Sequence, residues 1–420
     1  MISSKAAGKN TLFIYDNISG AYRDLNSSDL VGGVYRTSFN ELHTSQKHII
    51  LDIKSTYGIN QLTDETGVNF GATIIENSGR LDLQTANQTG SNFYVSSLVR
   101  GVFQYGANGE AGISIKVIDP PTGLQYARWG YFDGENGAGF GLDVSGLFVF
   151  RLDNLEYSKV YRNNWNSNVL SGAGNVYSFN ETQNSYNYSV NLDCDNLEYS
   201  INPINTINNR REKVLCHFWE NSNALIDGNQ PLRAEVFNGE SVGQFKISIG
   251  DRYYGIIGGE AVVQRKPFVD SITDHTISVA QNVWEPIMAV RKKENFGPSN
   301  RNNSVNTKIH LFSAQTDQNA EFMITLNGSV TGTNWLSPEF RNSDESACEV
   351  QKVTNNALGI STTGQVIEKI SALASNKGDT AVQDDEISYF GNGGQLIAYA
   401  RRTSSNSTTI SAQLHWDEEY

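Results

Sequence analysis

Two carboxylates, Asp133 and Glu135, stand in the glycine-rich run Y-F-D-G-E-N-G-A-G-F-G of residues 131–141. Acting together, they would suit glycoside hydrolysis or a calcium loop. A retaining glycosidase holds its two carboxyl groups about 5 Å apart in a cleft. A calcium loop needs more acidic ligands and a closing Glu, which this run lacks. Asp and Asn before Gly are also strong turn formers, because the side chain bonds its own backbone. The spacing favours that last use. His217, beside Cys216, Trp219 and Glu220, is the other candidate. Zinc would need further ligands at matching spacing, and none are local. Read as a strand, V-L-C-H-F-W puts Val214, Cys216 and Phe218 on one face and Leu215, His217 and Trp219 on the other, which makes His217 a sheet histidine. No G-x-S-x-G, H-E-x-x-H or Walker-type loop occurs. No catalytic residue, metal ligand or cofactor is assigned, and the chain is read as a non-enzyme.

Aromatic residues supply the remaining chemistry, with 19 Tyr, 19 Phe and 6 Trp. Their faces stack on pyranose rings, and they also fill cores and subunit interfaces. Trp129, Tyr131, Phe132 and Phe140 are read as core or interface residues. Tyr253 and Tyr254 are adjacent, so one of them points outward from a strand. Trp129, Tyr131, Asp133, Trp165, Tyr253 and Tyr254 form the set of candidate surface or interface contacts.

The elements that must position these residues are strands. Charged residues are only 18% of the chain, and Gly counts 38 against 8 Pro. That balance opposes a helical bundle and a Pro-rich disordered chain. It suits short strands joined by tight turns, where Gly and Asn supply the positive φ. A net charge of −13 argues against a nucleic-acid groove. The basic clusters Arg210–Arg211–Lys213, Arg291–Lys293 and Arg401–Arg402 are read as solvated turns or contacts to an acidic partner. Three cysteines, Cys194, Cys216 and Cys348, include no CxxC and read as free thiols. No apolar run approaches the ~20 residues of a spanning helix, so no membrane insertion is expected.

Residues 1–50 carry scattered apolar positions without a period and are read as an extended arm. Period-2 alternation then begins. In Gly112–Asp119, Ile113, Ile115 and Val117 share one face. Leu147–Leu152 is apolar on both faces and reads as a central strand. Asp133-Gly134 and Asn136-Gly137 signal a hairpin. Gly250-Asp251 and Asn327-Gly328 each read as the end of a strand. Gln365–Ala374, with Val366, Ile367, Ile370 and Leu373 at helical spacing, is the one helix candidate. The expected fold is all-β, with two or three antiparallel β-sandwich or jelly-roll domains. The expected division is an arm over 1–50, a sandwich over 51–260 and a second over 261–420.

At R-W-G-Y-F-D-G-E-N-G-A-G-F-G (128–141) the sequence resembles virion structural proteins of tailed phages, marine T4-like phages among them, and of some large DNA viruses. The likeness extends to G-L-F-V-F-R-L (146–152), N-N-W-N-S-N-V-L-S-G-A-G (163–174), K-V-L-C-H-F-W-E-N-S-N-A-L (213–225), Q-P-L-R-A-E-V-F-N (230–238) and G-R-L-D-L-Q-T (79–85). It departs from the pattern between Cys194 and Arg211. The resemblance implies a virion component of tail, baseplate, fibre or capsid, made in the host cytoplasm. Its partners would be other virion proteins and copies of itself, by analogy as a homotrimer. The alternative reading is a receptor- or carbohydrate-binding module of a viral fibre. Because the arm lacks a core, fast amide exchange is expected across residues 5–45 of the isolated protomer. Strong protection there, measured by mass spectrometry, would contradict the reading.

Overall fold

The computed structural model describes residues 13–16, 21–24, 47–103, 108–172, 174–182, 184–192, 196–220, 228–257, 265–297, 301–331, 334–338, 346–353, 358–372, 380–383, 389–390 and 394–419. Cys194 and most of residues 1–50 therefore lie outside the described residues. Of the expected arm, Phe13–Asp16 and Ala21–Asp24 pair as an antiparallel ribbon, and 47–50 open a sheet strand. The described residues are all-β, with antiparallel sheets and two short 3-10 turns, Ser55–Tyr57 and Arg162–Asn164.

Alternation within residues 47–257 builds one sandwich. Its eight-stranded sheet runs Val214–Glu220, Asn196–Ile201, Tyr186–Leu192, Asn108–Val117, Lys246–Ile257, Arg80–Gln84, Thr73–Asn77, with Lys47–Ile53 also pairing Lys246–Ile257. The facing seven-stranded sheet runs Glu156–Tyr161, Gly146–Asp153, Gly137–Asp143, Tyr126–Phe132, Pro231–Phe237, Asn92–Arg100, Asp64–Asn69. Period 2 sends Ile113, Ile115 and Val117 of the first sheet against Trp129, Phe140, Val149 and Val236 of the second. Each such side chain contributes roughly 1.5–3 kcal/mol by leaving water. Strand Gly146–Asp153 is paired on both sides and lies one place in from the sheet edge.

Residues 265–419 build a second sandwich. Its five-stranded sheet runs Arg265–Thr276, Thr409–Glu419, Asn306–Thr316, Thr380–Gln383, with Tyr389–Phe390 also on Asn306–Thr316. Its six-stranded sheet runs Cys348–Lys352, Glu285–Lys292, Gln395–Arg402, Ala320–Thr331, Gly359–Thr362, with Gln365–Ala372 also on Ala320–Thr331. Phe268, Ile287, Phe322, Leu396 and Trp416 fill the space between. The two sandwiches meet where Asn306 grips the backbone of Arg100. Its Oδ1 accepts from the Arg100 N–H at 2.9 Å, and its Nδ2 donates to the Arg100 carbonyl at 3.0 Å.

Three local expectations are corrected. Gln365–Ala372 is a strand, not a helix. A bulge opposite Ile324 and Thr325 inserts one residue, so Ile367 and Ile370 reach the same core although they are three apart. Leu373 lies outside the described residues. Gly250-Asp251 and Asn327-Gly328 do not end their strands. Gly250-Asp251 is a bulge within Lys246–Ile257, and in Ala320–Thr331 the bulge is Leu326-Asn327, with Gly328 paired again to Gln395 and Asn327 at a positive φ of 58°.

Two ionic ties hold the first sandwich. Arg252, from the eight-stranded sheet, reaches Asp64 of the other sheet at 2.6 Å, and both side chains are at most 1% exposed. On the outer face of the eight-stranded sheet, Glu110 receives Lys47 and Lys213, each at 2.8 Å, and the Tyr253 hydroxyl. Burial alone would raise the Glu110 pKa. The charges of Lys213 and Lys47 outweigh it and hold the carboxyl at about 2. Replacing Asp64 with Ala strands the Arg252 charge, and a loss of about 3–5 kcal/mol is expected. Urea denaturation of the Asp64→Ala variant measures it, and a midpoint equal to wild type would refute the tie.

Candidate functional site

The strand Tyr126–Phe132 divides its residues between two faces. Ala127, Trp129 and Tyr131 enter the core, so Tyr126, Arg128, Gly130 and Phe132 face outward from the seven-stranded sheet. The neighbouring strands continue that outward face with Gly139 and Gly141, Phe148 and Phe150, Tyr157, Lys159 and Tyr161, and on the other side Arg233, Glu235 and Phe237. The glycines set its shape. A methyl on Gly141 would meet the Phe148 ring and the Ala127 carbonyl, and one on Gly139 would meet the Trp129 carbonyl and the Phe150 ring. With hydrogen at those positions, both rings lie down across the sheet. Phe132, Phe148, Phe150 and Leu152 form an apolar floor there, separate from the main core.

Charge is laid over this floor. The Arg128 guanidinium lies 5.4–5.7 Å from the ring centres of Tyr126, Phe132, Phe150 and Tyr157. It pairs with Glu235 at 2.5 Å, and Arg233 reaches the same carboxylate at 2.9 Å. Burial opposes the Arg128 charge, but Glu235 outweighs it and pushes the pKa up. Lys159 sits over Phe148 and Tyr161 at 4.9 and 4.8 Å, and bonds Asp143 at 2.9 Å. Asp143 also accepts from the Tyr161 hydroxyl at 2.8 Å. Tyr126 and Phe237 stack with centres 5.0 Å apart and planes 4° apart. Between Tyr126, Arg128, Phe148, Tyr157, Lys159 and the loop Gly123–Gln125 lies an open groove of about 510 Å³. Tyr157 is 41% exposed at its edge. Phe132, Phe148 and Phe150 are buried, so the ring open to a ligand is Tyr157, with half-buried Tyr126 beside it, flanked by fixed donors and acceptors as in a small-molecule site.

The residues singled out in the sequence lie elsewhere. Trp129, Tyr131 and Tyr254 are fully buried and are core residues, not surface contacts. Alternation turns Trp129 and Tyr131 inward, and Tyr131 stacks on Tyr254 at 5.2 Å. Trp165 is also buried. Its ring N–H donates to the Val160 carbonyl at 3.1 Å, and it meets Phe140 edge-on. Tyr253 is half-buried and spends its hydroxyl on Glu110. Asp133 holds the hairpin turn. One carboxylate oxygen accepts the N–H groups of Gly134, Glu135 and Asn136 at 2.7, 2.9 and 3.0 Å, and the other takes Arg100 at 3.0 Å.

His217 and Cys216 are both buried, against simple alternation, because a register shift falls opposite them in Asn196–Ile201. The His217 ring lies against Trp219, and burial lowers its pKa. Sequence reasoning missed Arg128, Asp143, Tyr157, Lys159 and Glu235. The available signal was the face opposite Trp129 and Tyr131, which carries the polar residues of R-W-G-Y-F and L-R-A-E-V.

No family model and no curated protein matches the chain. Among solved structures, the Emp47p carbohydrate recognition domain is similar at 10% identity and a TM-score of 0.33, covering 50% of this chain and 98% of its own. Peanut lectin in complex with a nine-residue peptide matches at 10% identity and 0.34, covering 51% and 100%. The Bacillus licheniformis β-glucanase matches at 9% identity and 0.34, covering 50% and 98%. The assignment of antiparallel sandwiches rests on the strand pairings described above.

Adding a methyl at Gly141 should cost the first sandwich about 1–3 kcal/mol, because Phe148 must leave its place and the Ala127 carbonyl cannot. Chemical denaturation of Gly141→Ala checks this. Stability equal to wild type would mean that the ring is not held flat by the glycine.

Proposed function

We propose that the first sandwich is a carbohydrate-binding module and that its site is the outward face of the seven-stranded sheet. The observation that carries this reading is the groove beside Tyr157. Its accessible aromatic surface is Tyr157 with half-buried Tyr126, over a buried Phe148, and it is edged by Arg128, Lys159 and Asp143. Sugar rings present C–H faces to aromatic planes and hydroxyls to charged groups at their rims. The groove supplies both from side chains already fixed by their neighbours, so little ordering is needed on binding. Binding without cleavage fits the same geometry. Asp143 is engaged by Lys159 and Tyr161, and Glu235 by two arginines, so neither is placed as a free acid or base.

The resemblance of residues 128–141 and their companions to virion proteins is the ground for proposing a virion setting, and in that setting the ligand would be a host-surface glycan. The same resemblance would also suit contacts with other virion proteins, and a homotrimer is proposed only by analogy with the cyclic symmetry of such particle parts.

A glycan array probed with wild-type protein should show binding to a defined sugar class. The Tyr157→Ala variant, folded by circular dichroism, should lose about tenfold in affinity, the worth of one stacked ring. Turnover of the bound glycan would overturn the non-enzymatic part of the reading. Absence of binding across the array, or equal binding by Tyr157→Ala, would overturn the site.

A further inference from the structure

Lys292 ends the strand Glu285–Lys292 where the second sandwich meets the first. It is 7% exposed, and its side-chain amine has no hydrogen-bond or ion-pair partner among the described residues. The other buried lysine of the same sheet, Lys352, is held by Asp270 at 2.9 Å. A buried ammonium without a counter-charge is costly, and such groups ordinarily find one. Lys292 opens on a cleft of about 340 Å³ whose other charged walls come from the first sandwich: Glu65, Arg100, Asp133, Glu135 and Arg233. Two of the three cations there are already matched. Arg100 pairs with Asp133 at 3.0 Å and Arg233 with Glu235 at 2.9 Å. Glu65 receives the Tyr94 hydroxyl at 3.2 Å. Half-buried Glu135 has no side-chain partner among the described residues. The cleft thus offers one amine without a bonded counter-charge, Lys292 of the second sandwich, and two carboxylates of the first without a cationic partner among the described residues, Glu65 with only the Tyr94 hydroxyl and Glu135.

We propose that this interdomain cleft binds a small monocarboxylate, whose carboxylate takes the Lys292 amine and whose uncharged or cationic end lies toward Glu135. The acidic groups on the opposite wall disfavour a polyanion, and the volume suits a molecule of amino-acid or monosaccharide size. The site is distinct from the aromatic groove and does not depend on it.

Protonation gives the site a signature. Burial, with Arg100 adding to it, brings the Lys292 pKa down to about 7 against the opposing pull of Cys348, Glu65 and Glu418. Those groups, with Asp133, Glu135 and Arg233, are the charges and titratable groups that face the cleft or the amine. A carboxylate binds the charged amine, so affinity is full below pH 7 and falls as the pH rises through it. Between pH 6 and pH 8 the loss is about tenfold.

Calorimetric titration of the full chain with glucuronate, alanine and glucose tests the proposal. Glucuronate or alanine should bind at pH 6, about tenfold more weakly at pH 8, and glucose should not bind in this pH-dependent way. Binding of glucuronate alone marks an acidic sugar as the ligand type, and of alanine alone an amino acid. The Lys292→Met variant, close in volume and uncharged, should lose carboxylate binding while keeping glycan binding at the aromatic groove. Reductive methylation of the wild-type protein, read by mass spectrometry, gives a check that needs no variant: ligand should slow modification of Lys292. Carboxylate binding that survives Lys292→Met, methylation of Lys292 unaffected by ligand, or no carboxylate binding at tens of millimolar would each overturn the proposal.

Discussion

Hydrogen in place of a methyl at Gly139 and Gly141 is the constraint on which the outward face of the seven-stranded sheet depends. Side chains on a strand normally stand up from the sheet. Here Phe148 and Phe150 recline over the glycines of the neighbouring strand. The same device recurs on the strand at the far edge, where the Tyr94 ring covers Gly67. Reclining rings leave a low apolar floor, and the Arg128 guanidinium settles on it with Glu235 as counter-charge. An upright side chain at either glycine would displace the rings, and the charged layer above them would lose its support. The face is therefore built in tiers: bare backbone, then flat rings, then paired charges.

How much of this was legible in the sequence follows from what each signal reports. Period 2 reports which residues turn inward, and it served well at Ile113, Ile115 and Val117. It says nothing of the count of residues between paired strands. That is why Gly250-Asp251 and Asn327-Gly328, both good turn dipeptides, proved to lie at bulges inside long strands, and why the spacing of Ile367 and Ile370 imitated a helix. Aromatic residues carried the opposite ambiguity. Trp129 and Tyr131 are chemically suited to a binding surface, and only the fold shows that their neighbours Arg128 and Phe132 occupy it instead. Lys292 had no signal at all. Its surroundings come from segments far away in the chain, Glu65, Arg100 and the turn at Asp133 among them, brought near by the meeting of two sandwiches.

The turn at Asp133 links the two regions. Its carboxylate fixes the hairpin that leads into the glycine strands, and its second oxygen holds Arg100. The Arg100 backbone is in turn held by Asn306 of the other sandwich. A contiguous set of hydrogen bonds thus runs from the aromatic floor to the domain interface.

The pairing of Lys47–Ile53 with Lys246–Ile257 has a consequence for biosynthesis. The first sandwich takes a strand from each end of its own segment, and Arg265–Thr276 likewise waits for Thr409–Glu419. Contacts of such long sequence separation close slowly, since the loop between them must be ordered first. On a ribosome, neither sheet pair can be completed until nearly all of its residues have emerged. During that interval the strands that will become partners stand with open edges, a state in which aggregation competes with folding. The chain therefore depends on the speed of its final closures, or on a chaperone that shields the edges until they occur.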